Sequence, residues 1–214
     1  MVSYRISQCT VPGCGLRFPV GDLSPLGERC PACGEPTAWK GEPFATHEVH
    51  EGDQSEADRP ALEVLIDNVR SLRNVGSMFR TADGVGAQQV YLGGITPTPA
   101  HPGMAKTALG AERSVPWLHA QDGLALARRL REGGRSLWAL EGGPRSSSLF
   151  EPLPPPPLDQ PLVLVVGHEV SGVDPEILGL CDRVLRIPML GIKGSLNVSV
   201  AFGVACYWLR FGRT

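Results

Sequence analysis

The chain has 214 residues, with 26 glycines, 20 prolines, 6 cysteines and a formal net charge of −2 at pH 7. That length suits one ordinary α/β domain plus a small module. No apolar run reaches the roughly 18 residues needed to cross a bilayer, and residues 1–9 lack an apolar signal-peptide core. The sequence therefore reads as soluble and cytoplasmic, without a membrane partner. The overall charge speaks against a general nucleic-acid binder, but its distribution is uneven. Residues 1–69 carry −6 and residues 70–214 carry +4. A mildly basic body suits an RNA-handling protein and an ordinary solvated surface about equally.

Cys9-Thr-Val-Pro-Gly-Cys14 and Cys30-Pro-Ala-Cys33 are two short knuckles, with fifteen residues between Cys14 and Cys30. A tight turn rich in glycine and proline brings two sulfurs to one side of a metal. Two such turns complete a tetrahedron of Zn–S bonds of about 2.3 Å. The pattern is a rubredoxin-like zinc ribbon over residues 1–46, with Cys9, Cys14, Cys30 and Cys33 as ligands of a structural Zn²⁺. Iron or disulfides are the alternatives, and a reducing compartment disfavours the latter. So short a segment builds little core, so metal binding would supply its folding free energy. Cys181 and Cys206 lie in apolar contexts and read as inert core. The ribbon is either a fold staple or dimer contact, or an RNA-gripping arm using Arg5, Arg17, Arg29 and Lys40. The acids Asp22, Glu28, Glu35 and Glu42 dilute that basic set. Residues 47–60 are polar and acidic and read as a linker. His47-Glu48-Val49-His50 lacks the spacing of a metalloprotease helix and reads as solvated.

The main domain is expected over 61–214. Leu62–Ile66 reads as a buried strand, and Asn74–Val85 as a helix burying Val75, Met78, Phe79 and Ala82. Asn74 is placed to cap it, and Arg80 points away from the buried face. Val90–Leu92 is a short strand, and Thr96–Gly103 a proline-rich loop too irregular for core. Val115–Leu118 is a further strand. Asp122 starts an amphipathic helix with Leu124, Ala127 and Leu130 inward. Its Arg128, Arg129 and Arg131 form a wet face or, less often, a phosphate contact. Leu137–Leu140 is a strand, and Ser146–Pro157 an extended connection.

The last quarter organises the rest. Leu162–Val166 is an apolar run bounded by glycine, a strand buried on both faces. It feeds the turn Gly167-His-Glu-Val-Ser-Gly172. Val184–Ile187 is another strand, stopped by Pro188. Ser195 and Asn197 are helix-start residues for a helix running to Arg210. Two strands thus end in polar glycine-rich loops, where open α/β sheets bind ligands. Alternating strands and helices predict a mostly parallel sheet with helices on both faces.

Three segments carry a family resemblance: residues 68–83 around Asn74 and Arg80, residues 165–173 around Gly167, Glu169 and Gly172, and residues 187–201 around Ser195 and Asn197. In that order and spacing they resemble the three motifs of the SpoU/TrmH branch of the knotted SPOUT RNA methyltransferases. The resemblance spans about 61–211 and leaves the ribbon uncovered. It implies a C-terminal trefoil knot and a homodimer built around it. It also implies S-adenosylmethionine as methyl donor, held by Leu140, Gly167, Glu169, Gly172, Ile187, Met189 and Leu196. The implied acceptor is a ribose 2′-hydroxyl of tRNA or rRNA, served by Arg80, Asn74, Ser195 and Asn197. The resemblance implies Arg80 as the base, with help from an RNA phosphate; its pKa above about 12 makes orientation of the hydroxyl and support of the alkoxide at least as good a fit. His168 reads as a variable position. The alternatives are a base methyltransferase of the same fold and a non-catalytic RNA-binding or ribosome-assembly factor. A nucleotide hydrolase is disfavoured, because Gly191-Ile-Lys-Gly-Ser195 is no phosphate loop.

Overall fold

Alternation of inward and outward side chains builds two separate sheets from this chain. The computed structural model describes residues 3–21, 24–45, 60–152, 154 and 158–212. The expected linker falls outside these residues except for Pro60, and so does the histidine pair at 47 and 50. The chain divides into two compact units, Met1–Ser55 and Glu56–Thr214.

The first unit is a three-stranded antiparallel sheet of β1 (Ser3–Cys9), β2 (Arg17–Gly21) and β3 (Thr37–Ala45), in the order β2-β1-β3. A single 3-10 turn, Pro25–Gly27, lies against one face. The Ser7 hydroxyl, fully buried, donates to the Gly27 carbonyl at 2.9 Å. Gly27 is held close to the sheet, since a Cβ there would meet the Trp39 ring at 2.7 Å.

The second unit is a seven-stranded sheet, parallel at every pairing. Its strands are β4 (Leu62–Asp67), β5 (Gln89–Gly93), β6 (Trp117–Ala120), β7 (Ser136–Leu140), β8 (Ser147–Ser148), β9 (Leu162–Val166) and β10 (Arg183–Arg186), ordered β6-β5-β4-β9-β7-β10-β8. β4 and β9 are central and buried at every position. Period two divides their side chains between two cores. Val64, Ile66, Leu92, Leu164 and Val166 face one, beneath α1 (Leu72–Gly84), α2 (Met104–Ala108), α3 (Ala111–Ser114) and α6 (Val198–Phe211). Leu65, Tyr91, Leu137, Val163 and Val165 face the other, beneath α4 (Gly123–Glu132) and α5 (Pro175–Leu180). The expected sheet with helices on both faces is observed.

Several local expectations shift. α1 starts two residues early, and its cap is Ser71, whose hydroxyl accepts from the Asn74 N–H at 3.3 Å. Asn74 is therefore a first-turn residue, free to bond elsewhere. The loop after β5 is not wholly peripheral: Thr96 is 3 % exposed, and its hydroxyl bonds the carbonyls of Ile66 and Gly93. α2 and α3 follow it, and Met104 is fully buried. The connection after β7 adds β8 to the sheet edge. On α4, Leu126 joins Ala127 and Leu130 in the core, with Leu124 half-buried against it as expected. Arg128 and Arg131 pair with Glu176 and Asp182 across α5, so two of the three helix arginines already have carboxylate partners.

Two buried acids, Glu63 and the terminal Asp67, belong to β4. Glu63 is 6 % exposed and faces the α4–α5 side. It accepts from the Tyr91 hydroxyl at 3.0 Å and from Arg135 at 2.6 and 3.3 Å. Burial, with Glu63 alongside, pushes the Tyr91 phenol up to about 12. Arg135→Met would strand a buried carboxylate. Since Arg135 is itself partly exposed, the cost should be about 2–3 kcal/mol in urea unfolding, with Glu63→Gln recovering part of it in the double variant; an unchanged midpoint would contradict this account.

Candidate active site

Three strands of the second unit end at one place. β7 stops at Leu140, β9 at Val166 and β10 at Arg186, and a cavity opens beyond these carboxyl ends. Leu140, Ile187, Met189 and Leu196 form its apolar walls. Gly167, Glu169 and Gly172 reach it from the turn after β9, and Ser195 from the loop before α6. All seven residues named from the sequence for a cofactor, and Ser195 with them, line one cavity.

The turn after β9 is closed by its backbone. The His168 N–H donates to the Gly172 carbonyl at 3.0 Å, and the Gly172 N–H returns a bond to His168 at 2.9 Å. A Cβ on Gly167 would meet the Gly172 carbonyl oxygen at 2.3 Å. Gly172 has φ +76°, and a Cβ there would strike the Glu141 carboxylate at 2.2 Å. Both positions need glycine for space, and Gly172 needs it for its left-handed backbone too. His168 closes the turn from inside: its Nδ1 accepts the N–H groups of Val170 and Ser171, each at 3.1 Å. A residue read as variable thus acts as a side-chain acceptor in the turn.

Glu141 was passed over in the sequence. Its carboxylate accepts from Gly142 N–H at 3.0 Å and Val173 N–H at 2.9 Å, tying the end of β7 to the close of the turn. The only signal was an acid at a strand end before a glycine pair.

Glu169 reaches away from the turn to the start of α1. It accepts from the N–H groups of Arg70 at 3.1 Å and Ser71 at 2.9 Å, and from the Asn74 amide at 3.2 Å. Burial raises its carboxyl, but the hydrogen bonds from Arg70, Ser71 and Asn74 outweigh that and hold it below the ordinary value. Asn74 Oδ1 in turn accepts from the Asn197 amide at 3.3 Å. Asn197 caps α6, its Oδ1 taking the Ser199 N–H at 2.9 Å and hydroxyl at 2.7 Å. With Oδ1 so used, the Asn197 amide must donate outward, and Asn74 must do the same toward Glu169. The result is a directed chain, Asn197 to Asn74 to Glu169. Arg80 stands apart. It lies six residues past Asn74 on α1, is exposed, and is not among the residues lining the cavity.

In the first unit the Sγ atoms of Cys9, Cys14, Cys30 and Cys33 all lie within 4.8 Å of one another. The Cys9–Cys33 and Cys14–Cys30 separations are 3.5 and 3.7 Å. A ZnS₄ tetrahedron has an edge of about 3.8 Å, from Zn–S bonds of about 2.3 Å. The donor set and its spacing fit that metal. The remaining cysteines are shielded: Cys206 is buried, and burial pushes its thiol well up, as it pushes Cys181 to about 12.

Comparison with known proteins matches residues 61–207 to the SpoU rRNA Methylase family. The chain is 31% identical to a 23S rRNA (guanosine-2'-O-)-methyltransferase of Pseudomonas syringae, over 72% of this chain and 59% of that protein. It is 33% identical to a tRNA (guanosine(18)-2'-O)-methyltransferase of Thermus thermophilus, over 70% of this chain and 74% of that one. Among solved structures, the A. aeolicus TrmH/SpoU tRNA modifying enzyme superposes with a TM-score of 0.63 at 30% identity, covering 74% of this chain and 78% of that one. An AdoMet-bound rRNA methyltransferase from Sinorhizobium meliloti gives 0.65 at 27%, covering 72% and 57%. The chain therefore spans less than two thirds of the rRNA-type relative's length.

The turn geometry sets an expected outcome for stability. Gly172→Ala should lower the urea-unfolding midpoint, because its Cβ would strike the Glu141 carboxylate on a left-handed backbone. His168→Ala should cost about 1 kcal/mol by freeing two N–H groups, and His168→Asn, whose Oδ1 can accept in the same place, should recover most of the loss. Equal losses from the alanine and asparagine variants would contradict the acceptor role.

Proposed function

The chain belongs to the SpoU rRNA methylase family, and from that premise we propose that it transfers a methyl group from S-adenosylmethionine to a ribose 2′-hydroxyl of tRNA or rRNA. The observation that carries the proposal is the meeting, beside one cavity with both apolar and polar walls, of the Gly167–Gly172 turn, Ser195 and the Asn197–Asn74–Glu169 chain. When bound, the cofactor supplies a methyl carbon already activated on sulfonium. The chain's residues do the rest. Leu140, Ile187 and Leu196 would offer the adenine an apolar slot, and Gly167 and Gly172 let the turn beside it close tightly. Ser195, Asn197 and Asn74 offer the acceptor ribose hydroxyl and amide partners. Such alignment is the main requirement for a transfer whose donor is pre-activated.

The catalytic part assigned to Arg80 is electrostatic. A guanidinium with a pKa above about 12 is a poor base at neutral pH but a good support for a developing alkoxide. Because Arg80 lies outside the cavity of its own protomer, a homodimer is part of the proposal. Exposed apolar side chains at Leu190, Ile192, Val200, Tyr207 and Phe211, on the loop before α6 and on α6 itself, support a second copy there. The trefoil knot belongs to the same reading. So do the division at the 47–60 linker and a cytoplasmic setting in which the thiolates stay reduced. Among the described residues no helix is long and apolar enough to cross a membrane.

We infer structural zinc at the four cysteines on the sulfur spacing alone. Metal analysis of purified protein should return one zinc per chain, and chelation should melt the ribbon sheet while sparing cofactor affinity; a metal-free but folded ribbon would contradict it.

The function is tested by Arg80→Ala. Methyl transfer to RNA should fall about a hundred-fold or more while S-adenosylmethionine affinity stays unchanged. The wild-type product should resist alkaline cleavage at one linkage. A product cleaved normally there would move the acceptor to a base, and absence of any transfer would leave a non-catalytic RNA-binding factor.

A further inference from the structure

The ribbon sheet has one closed face and one open face. On the closed face Ser7 and Val20 are buried beneath the Pro25–Gly27 turn. The register assigns the open face: Tyr4 pairs with Gly21 and Phe44, Ile6 with Pro19 and Lys40, Gln8 with Arg17. Paired residues share a face. On it the Tyr4 and Phe44 rings stack, with centroids 6.1 Å apart and an interplanar angle of 28°. Phe44 is 45% exposed, and Arg17 and Lys40 are exposed. The register shifts between Tyr4 and Ile6, and the extra β3 residues, the exposed Glu42 among them, take no paired position.

A stacked aromatic pair with an exposed outer ring and cations on the same face matches the requirements of a single-stranded nucleic acid. Every base has a π-face to stack, and the backbone needs a positive track. We propose that this open face binds a single-stranded segment of RNA, with bases on Phe44 and Tyr4 and phosphates at Arg17 and Lys40. A protein partner suits the face less well, since it would have to neutralise both cations beside an aromatic pair. The proposal deepens the methyltransferase reading by giving the ribbon a part in holding the substrate. It is measured by binding without turnover, so either idea can fail alone.

The test uses the full-length protein and fluorescein-labelled twelve-nucleotide oligouridylate and oligoadenylate, read by fluorescence anisotropy. Phe44→Ala should weaken binding about five-fold or more, and Phe44→Trp should retain it. Lys40→Ala, at an exposed site that spares the fold, should lower the slope of log affinity against log salt by about 0.7. Zinc content and S-adenosylmethionine affinity should stay constant throughout. Unchanged RNA affinity in Phe44→Ala together with an unchanged salt slope in Lys40→Ala would overturn the proposal, as would failure of the wild-type protein to bind either oligonucleotide.

Discussion

The Glu169 carboxylate is the tie on which the geometry of the second unit's site depends. It takes two backbone N–H groups at the entry to α1 and the amide of Asn74, although these lie 95 to 99 residues away in sequence. The sheet makes that reach short. β4 and β9 pair from Leu62 with Leu162 to Ile66 with Val166, so the loops leaving them are neighbours. Entry to an α-helix leaves N–H groups without partners, and a carboxylate is a natural acceptor for them. Ionisation is part of the tie. A carboxyl held below its ordinary value stabilises the fold above the unfolded pKa of about 4.3, and that contribution fades as pH falls through the depressed value. At neutral pH the tie is fully formed.

Downstream of it, orientation propagates. Asn74 is fixed by Glu169, Asn197 is fixed by Asn74 and by its own cap, and the cap sets where α6 begins. Glu141 works in parallel, joining β7 to the end of the turn and filling the space left by Gly172. The cavity's shape is therefore held by two carboxylates through their hydrogen bonds to neighbouring segments. This shows how a site assembled from three separate segments can hold a constant shape.

Much of this was legible in the sequence where one force dominated. β4 and β9 are short apolar runs, and double-sided burial leaves them no other reading. Glycines 167 and 172 were legible because the turn tolerates no side chain. What stayed hidden depended on partners remote in sequence. Nothing local announces that Ser71 caps α1 and so releases Asn74, or that His168 folds back to take two N–H groups. Glu63 sits inside the expected buried strand, and its partners Tyr91 and Arg135 come from 28 and 72 residues away. α2 and α3 are five and four residues long, too short to show a period, and are held by Met104 and Ala108 in the core rather than by propensity. Arg80 is the opposite case. Its motif was plain, yet its absence from the residues that line the cavity was not.

The account rests on Glu169 and Asn74 acting as one unit, and a double-mutant cycle measures that directly. The kcat/KM of the proposed methyl transfer would be determined for Glu169→Ala, Asn74→Ala and the double variant, with urea-unfolding midpoints as a check on folding. Coupling predicts that the double variant loses scarcely more than the worse single variant. Losses that simply add would mean that the two residues act independently and that the tie does not organise the site.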